Sequence, residues 1–458
     1  MPVKISVADF GAFPNTEEFS SDAIQKAIDF CFEKGGGEVF IPTGIYRVKG
    51  LRLRSGVTIH LLEYALLLGS RNQDDYFILE HDRIEPVSES ELDPGEWERL
   101  TGEAKRKKFH IYGSRWHNAM IRAYNAKNIA IIGDRGSIID GNNCFDAYGE
   151  EKYRGPHGIG IINCENVVLR GYTMRNTGNW AHEIQNTNNV TVENVLCLAG
   201  HDGIHMTTCE DVTIKNCEFR TGDDCVAGFD NKNIVVENCK LNTFCNVFRM
   251  GGTNIFISDC DVSTPPAYLF RGLMSIEEKR NGTMSNDAQF AKNSTYESAL
   301  SFFTYYADAS VNIKNFATNI IVRDCKISGA QRFLHFNYSG NEPWQNNRPL
   351  LDIKFENIIA ENIENPITAY GDVNQPVEIT LSNSEFSFKD GFQNDSFMHA
   401  ANFKTIKMKN LKIRNIKGDC LIKSWSKGGK IEFENVECDI AETNLIKYTT
   451  EEFKCKWI

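Results

Sequence analysis

The chain has no long apolar run. Nothing in its 458 residues approaches the uninterrupted stretch that spans a bilayer as a helix. The first residues, Met1-Pro-Val-Lys-Ile-Ser-Val-Ala-Asp-Phe-Gly11, lack the apolar core of a secretory signal, so a cytoplasmic protein is expected, or a secreted one had a leader been removed. An excess of positive charge is missing too. The formal net charge of −11 argues against nucleic acid or an anionic membrane as a general partner, although a local arginine cluster can still hold an anionic sugar. Fourteen cysteines are too few for a disulfide framework and form no metal-type CxxC pair. No glycine-rich phosphate loop and no convincing serine triad is present. Neither a cofactor nor a metal is expected.

What the chain does have is a repeat. Asn189-Val-Thr-Val-Glu-Asn-Val195 is followed by Asp211-Val-Thr-Ile-Lys-Asn-Cys217, Asn233-Ile-Val-Val-Glu-Asn-Cys239 and Asn254-Ile-Phe-Ile-Ser-Asp-Cys260. The steps are 22, 22 and 21 residues, a period that marks a solenoid whose units bury their apolar faces only by stacking. Asp202, Asp224, Asn246 and Tyr268 keep the same step. Residues in one phase of successive coils lie roughly 4.8 Å apart, so this polar row should face outward and line a cleft. Cys217, Cys239, Cys260 and Cys325 also share a phase and should stack inside as small hydrophobes. The sixth place of the unit carries Asn194, Asn216, Asn238, Asp259, Asp324, Asn357, Asn410 and Asn435. Asparagine tolerates left-handed backbone, and these side chains are expected to satisfy amides at the bends.

In chain order, Ser20 or Ser21 can cap a helix whose apolar positions Ala23, Ile24, Ala27, Ile28, Cys31 and Phe32 have helical spacing. Gly35-Gly36-Gly37 ends it, and residues 1–50 should close the first coil. Residues 70–114 lose the pattern and include the basic run Lys105-Arg-Lys-Lys108, which reads as a solvated insertion surface. A second departure, 273–317, holds Phe302-Phe-Thr-Tyr-Tyr306 and reads as an insertion walling the cleft. Coils then return from Asn319 to Asn435. The expectation is one domain, 1–458, with two insertions.

Three carboxylates fall on the polar face: Asp202 in Gly200-His-Asp-Gly203, and Asp223 and Asp224 in Thr221-Gly-Asp-Asp-Cys225. Strand alternation would turn Asp223 away from Asp224 unless it sits at the bend that Gly222 permits. Gly-Asp-Asp alone is an ordinary turn sequence. Grouped carboxylates, however, cannot all ionise easily, and one acid beside one base is what glycosidic cleavage requires.

Taken with Asp9-Phe-Gly-Ala12, Ile41-Pro-Thr-Gly-Ile-Tyr46, Ile139-Asp-Gly141 and Asn179-Trp180, these segments resemble glycoside hydrolase family 28, the polygalacturonases and rhamnogalacturonases. The resemblance implies a right-handed parallel β-helix and inverting hydrolysis of α-linked, galacturonic-acid-containing saccharides. By position Asp223 resembles the general acid, and Asp202 and Asp224 the pair that activates water. Where the family carries Gly-His-Gly, this chain has Cys245-Asn246-Val247, so Asn246 replaces the histidine; His201 or His205 is the candidate electrostatic substitute. The family's Arg-Ile-Lys reads Arg271-Gly272-Leu273. Arg249, 22 residues earlier, would stack with Arg271 and grip a sugar carboxylate, salt bridges within the protein being the plainer alternative.

Tyr268 could hydrogen-bond a sugar or pack under the insertion. Trp180 could stack on a sugar ring or fill core, and Arg154 and His157 could reach the far end of the cleft. The expected partner is a pectic oligosaccharide cleaved in exo mode, with oligomeric state open. The alternatives are a Ca²⁺-dependent polysaccharide lyase on the same fold and a carbohydrate-binding β-helix without activity.

Overall fold

In the computed structural model the described residues are 3–76, 117–281, 297–307, 313–339, 348–392 and 394–450. The basic run 105–108 and nearly all of the 70–114 segment lie outside them. The chain divides into two compact units, Met1–Cys225 with Ala267–Asn293, and Val226–Pro266 with Ser294–Ile458. The fold class is the right-handed parallel β-helix.

In the first unit the strands form three parallel rows. One row runs Ala119–Tyr124, His157–Ile162, His182–Gln185, Ile204–Thr207. A second runs Val57–Leu61, Lys127–Gly133, Glu165–Arg170, Asn188–Glu193, Glu210–Lys215. The third runs Ala65–Gly69, Ile138–Asp140, Thr173–Arg175, Leu196–Ala199, Glu218–Thr221. Period-2 alternation points every second side chain inward. Val167, Val190 and Val212 therefore form one buried ladder, and Leu169, Val192 and Ile214 another. Each such side chain contributes about 1.5–3 kcal/mol by leaving water.

The helix Ser21–Glu33 buries Ile24, Ala27, Ile28 and Cys31 against the first strands, while Phe32 stays partly exposed. Ser20 stands at the cap position without a side-chain cap bond, and the Ser21 hydroxyl instead accepts the Lys49 amide at 2.6 Å.

In the second unit Asn246–Ser258 is a long strand that pairs with both Ala299–Tyr305 and Thr318–Arg323. This corrects the reading of Phe302–Tyr306 as insertion. The segment is a coil strand whose inward positions are aromatic: Phe302 stacks on Phe333 at 5.2 Å, and Phe333 meets Phe355 at 4.7 Å. Aromatic filling hid the aliphatic signature of the repeat. Because Asn246 pairs with Ser301 and Arg249 with Thr304, the rows that pass through them continue to those residues and not to Tyr268 and Arg271.

The sixth-place residues Asn194, Asn216, Asn238, Asp259, Asp324, Asn357, Asn410 and Asn435 all have φ between 51° and 54°, the left-handed region. Several of their side chains bond to one another: Asn357 Nδ2 donates to Asp324 Oδ1 at 2.9 Å and Asn435 Nδ2 to Asn410 Oδ1 at 3.1 Å, on the exposed side. A second ladder of the same kind links Asn128, Asn166 and Asn189, again with positive φ. Cys217, Cys239, Cys260 and Cys325 are buried free thiols, as expected from their phase.

One inward side chain is a histidine. His182 is fully buried, its Nδ1 2.8 Å from the Gly203 carbonyl and its Nε2 3.0 Å from the Tyr172 hydroxyl. The carbonyl can only accept, so Nδ1 carries the proton and Nε2 accepts from Tyr172. Burial pushes the imidazole down to about 4, the bond to Gly203 opposing it. The unfolded chain then binds a proton below the ordinary histidine range that the folded chain refuses until about pH 4. Stability should accordingly fall as pH drops through that window. His182→Leu, by orphaning the Tyr172 hydroxyl and the Gly203 carbonyl, should cost about 1–3 kcal/mol at pH 7 in urea unfolding, and should flatten the acid slope.

Candidate functional site

The bends before two successive coils of the first unit carry the acids. Asp202 lies between Leu196–Ala199 and Ile204–Thr207; Asp223 and Asp224 lie just past Glu218–Thr221. The bends stack through Gly203 N to Asp224 O at 2.9 Å and Gly222 N to Ala199 O at 2.8 Å. Ala181 N bonds Asp202 O at 2.8 Å, which keeps Trp180, Asp202 and Asp224 in one phase. Asp223 escapes strand alternation because it stands in the bend. The Thr221 hydroxyl donates to its carbonyl at 2.7 Å, and its own carboxylate accepts the Asp224 amide at 3.2 Å. Glycine is needed at 222: an added Cβ would come within 2.2 Å of the Leu269 carbonyl oxygen.

An oxygen from each of Asp202, Asp223 and Asp224 lies within 4.8 Å of the others. Asp202 and Asp224 are buried, whereas the Asp223 side chain keeps 19% of its surface exposed. Three carboxylates this close repel one another unless they share a proton or a cation. They are the one group among the described residues whose ligand atoms are placed to hold a metal ion.

The structure separates the two candidate histidines. His205 Nδ1 lies 2.7 Å from Asp202 Oδ2, and against a carboxylate that nitrogen carries the proton and donates it. Trp180 stacks flat on this imidazole, centroids 3.7 Å apart and planes at 3°. One face of the indole is therefore occupied, and Trp180 is only 9% exposed. His201 is fully buried between Tyr153 and Phe270, and neither of its nitrogens has a hydrogen-bond partner. Burial first, then the nearby Arg154 and Arg271, hold it well below the ordinary histidine range, so it stays neutral and cannot supply positive charge.

His157 precedes Trp180 by one coil, with ring centroids 5.3 Å apart. Its Nε2 lies 3.6 Å from Glu183, whose other oxygen is 2.8 Å from His117 Nδ1. Burial alone would raise the Glu183 carboxyl, but His117 and His157 outweigh it and hold the group below the usual range. Glu183 and His117 were missed in the sequence. Glu183 pairs in register with His205, and that alternation was the signal that could have found it.

Arg154 points its guanidinium at the acids: Nη1 donates to Asn179 Oδ1 at 3.1 Å, Nε to Glu151 Oε2 at 3.1 Å, and Nη2 lies 4.0 Å from Asp223 Oδ2. Arg271 does not join the polar row. It is 1% exposed and donates to the carbonyls of Asn143, Cys144, Thr177, Gly178 and Lys279 at 2.9–3.5 Å. Burial lowers it to about 10, still protonated at neutral pH. The expected stack of Arg249 on Arg271 therefore fails; chain phase carries no information across a segment that leaves the coil. Tyr268 is off the row for the same reason, a buried residue of the segment that contains Arg271. In the second unit Asn246 accepts the Ser301 hydroxyl at 2.5 Å, and Arg249 lies over the Tyr306 ring at 4.1 Å.

Arg271→Met should lower stability by more than about 3 kcal/mol in urea unfolding, because it orphans several buried carbonyls together. A loss under 1 kcal/mol would contradict this structural role.

Residues 101–244 match the model of Glycosyl hydrolases family 28. A probable polygalacturonase of Vitis vinifera is 24% identical over 233 residues, 48% of this chain and 43% of that protein, so the chain matches less than half of its length. Among solved structures, the family 28 exopolygalacturonase of Yersinia enterocolitica superposes with a TM-score of 0.62 at 18% identity, covering 95% of this chain and 78% of that one. The exopolygalacturonase of Thermotoga maritima gives 0.63 at 14% identity, covering 90% and 92%. These two likenesses speak to fold. The segment that holds all three clustered aspartates lies within the segment that is similar to family 28, and the chain shares the right-handed parallel β-helix fold of these exopolygalacturonases.

Proposed function

We propose that the protein is a glycoside hydrolase that cleaves α-linked, galacturonic-acid-containing saccharides with inversion. The observation that carries this reading is the convergence of three carboxylates, from two successive coils, to within 4.8 Å. Asp223, the most exposed of the three, gives its proton to the glycosidic oxygen. Asp202 and Asp224 together take the proton of the attacking water. His205 holds one oxygen of Asp202 and is the electrostatic substitute for the histidine that Asn246 replaces.

The segment that carries Arg271 folds over the acid bends, with Arg271 N bonded to Gly200 O at 3.0 Å and the Leu269 carbonyl against Gly222. A wall on that side supports release of single sugars from a chain end.

The close spacing supports a second reading. Inverting enzymes commonly separate acid and base by about 6.5–9.5 Å and retaining ones by about 5–5.5 Å, so carboxylate oxygens grouped within 4.8 Å stand nearer the retaining case, with Asp202 or Asp224 as nucleophile. Proton NMR of the first product distinguishes the two: β-anomer for inversion, α-anomer for retention. Asp223→Asn should lower kcat on oligogalacturonides by about 10³-fold, within the range general acid catalysis supplies. Full activity in that variant would remove Asp223 as the acid. Hydrolysis should also persist in chelator, with no ultraviolet absorbance from an unsaturated sugar; the opposite result would make the carboxylates a cation site of a lyase.

A further inference from the structure

We propose that Glu183 is a positioning residue for the reaction: through a run of stacked rings it sets the plane of His205, and with it the carboxylate of Asp202. The inference rests on the acid/base role given to Asp202 above.

A run of contacts, all within the first unit, joins Glu183 to the acids. His117 Nδ1 lies 2.8 Å from one carboxylate oxygen of Glu183, and His157 Nε2 lies 3.6 Å from the other. The His157 ring meets Trp180 with centroids 5.3 Å apart. Trp180 in turn lies flat on His205 at 3.7 Å, and His205 Nδ1 donates to Asp202 Oδ2 at 2.7 Å. The indole is thus held between two imidazoles, and its tilt sets the tilt of His205. Tipping that ring would turn its N–H out of line with Asp202, and a hydrogen bond weakens steeply as it bends.

Glu183 anchors the far end of the run. It is buried, and His117 and His157 outweigh the burial that would otherwise raise its carboxyl. An ionised carboxylate is expensive to bury, and an uncharged amide of the same shape would fill the space at lower cost. What the charge adds is attraction for His157, and so a fixed seat for the ring against which Trp180 rests. Glu183 also stands in register beside His205, so the rings have to be tested against a direct effect of its charge.

The test uses the full chain and two readouts. On oligogalacturonides, Glu183→Gln, which keeps the shape but removes the charge, should lower kcat at least tenfold with KM within twofold of wild type. Proton NMR of the His205 Nδ1–H, assigned by its loss in His205→Asn, should show at least tenfold faster exchange with water in the same variant. Both effects should shrink below twofold when Glu183→Gln is made in a Trp180→Leu chain, because the stack that carries them is gone. Glu183→Asp keeps the charge and should lie between wild type and Glu183→Gln; it carries the comparison if Glu183→Gln does not fold. The inference is overturned if Glu183→Gln leaves kcat and exchange within twofold of wild type, or if its effect is undiminished without Trp180. Failure of the wild type to hydrolyse any pectic saccharide would overturn the function proposed above, whereas the exchange rates would still decide the role of Glu183.

Discussion

Lateral hydrogen bonding of each coil onto the next is the constraint on which everything else depends. Within each unit a parallel ladder fixes the register, and register fixes which side chains face outward. A one-residue slip would invert every face of a strand. The slip is opposed at the bends. Asparagine and aspartate at φ near 54° turn the chain where most residues would be strained, and their side chains link along the stack. The placement of Asp202 against Asp224 follows from this ladder and not from any contact between the carboxylates.

Around the acids, rigidity comes from buried polar groups used as fasteners. Arg271 collects carbonyls from the loops near 143 and 178 and from the short helix at 276–281, all in the first unit. His182 ties the Gly203 bend to Tyr172 from inside the coil. Glu183, held between His117 and His157, supports the imidazole that meets Trp180. Each group is costly to bury alone; Arg271 and His182 are offset by their hydrogen bonds, and Glu183 by the two imidazoles beside it. The site is thus arranged before a ligand arrives, as stabilising a developing charge requires.

Much of this was legible in the residues. The 22-residue step identified the coil, the shared phase of Cys217, Cys239 and Cys260 placed them inside, and the recurring asparagines marked the bends. Phase also brought Asp202 to Asp224, and Gly222 allowed Asp223 to join them. The reading failed where the chain left the coil. Tyr268 and Arg271 keep the step by number alone, since the coil after Asn246 resumes at Ala299. It failed again at Phe302–Tyr306, where aromatic residues fill inward places that aliphatic ones hold elsewhere.

Sequence by itself determined the coil, its bends and the convergence of three aspartates, because these follow from a short period acting between neighbouring turns. Only the tertiary structure decided which cations serve the acids. Arg154, Arg271, His201 and His205 are all plausible by type and proximity. Burial and hydrogen-bond partners separate them, and those partners come from loops far apart in the chain, whose meeting no local periodicity encodes.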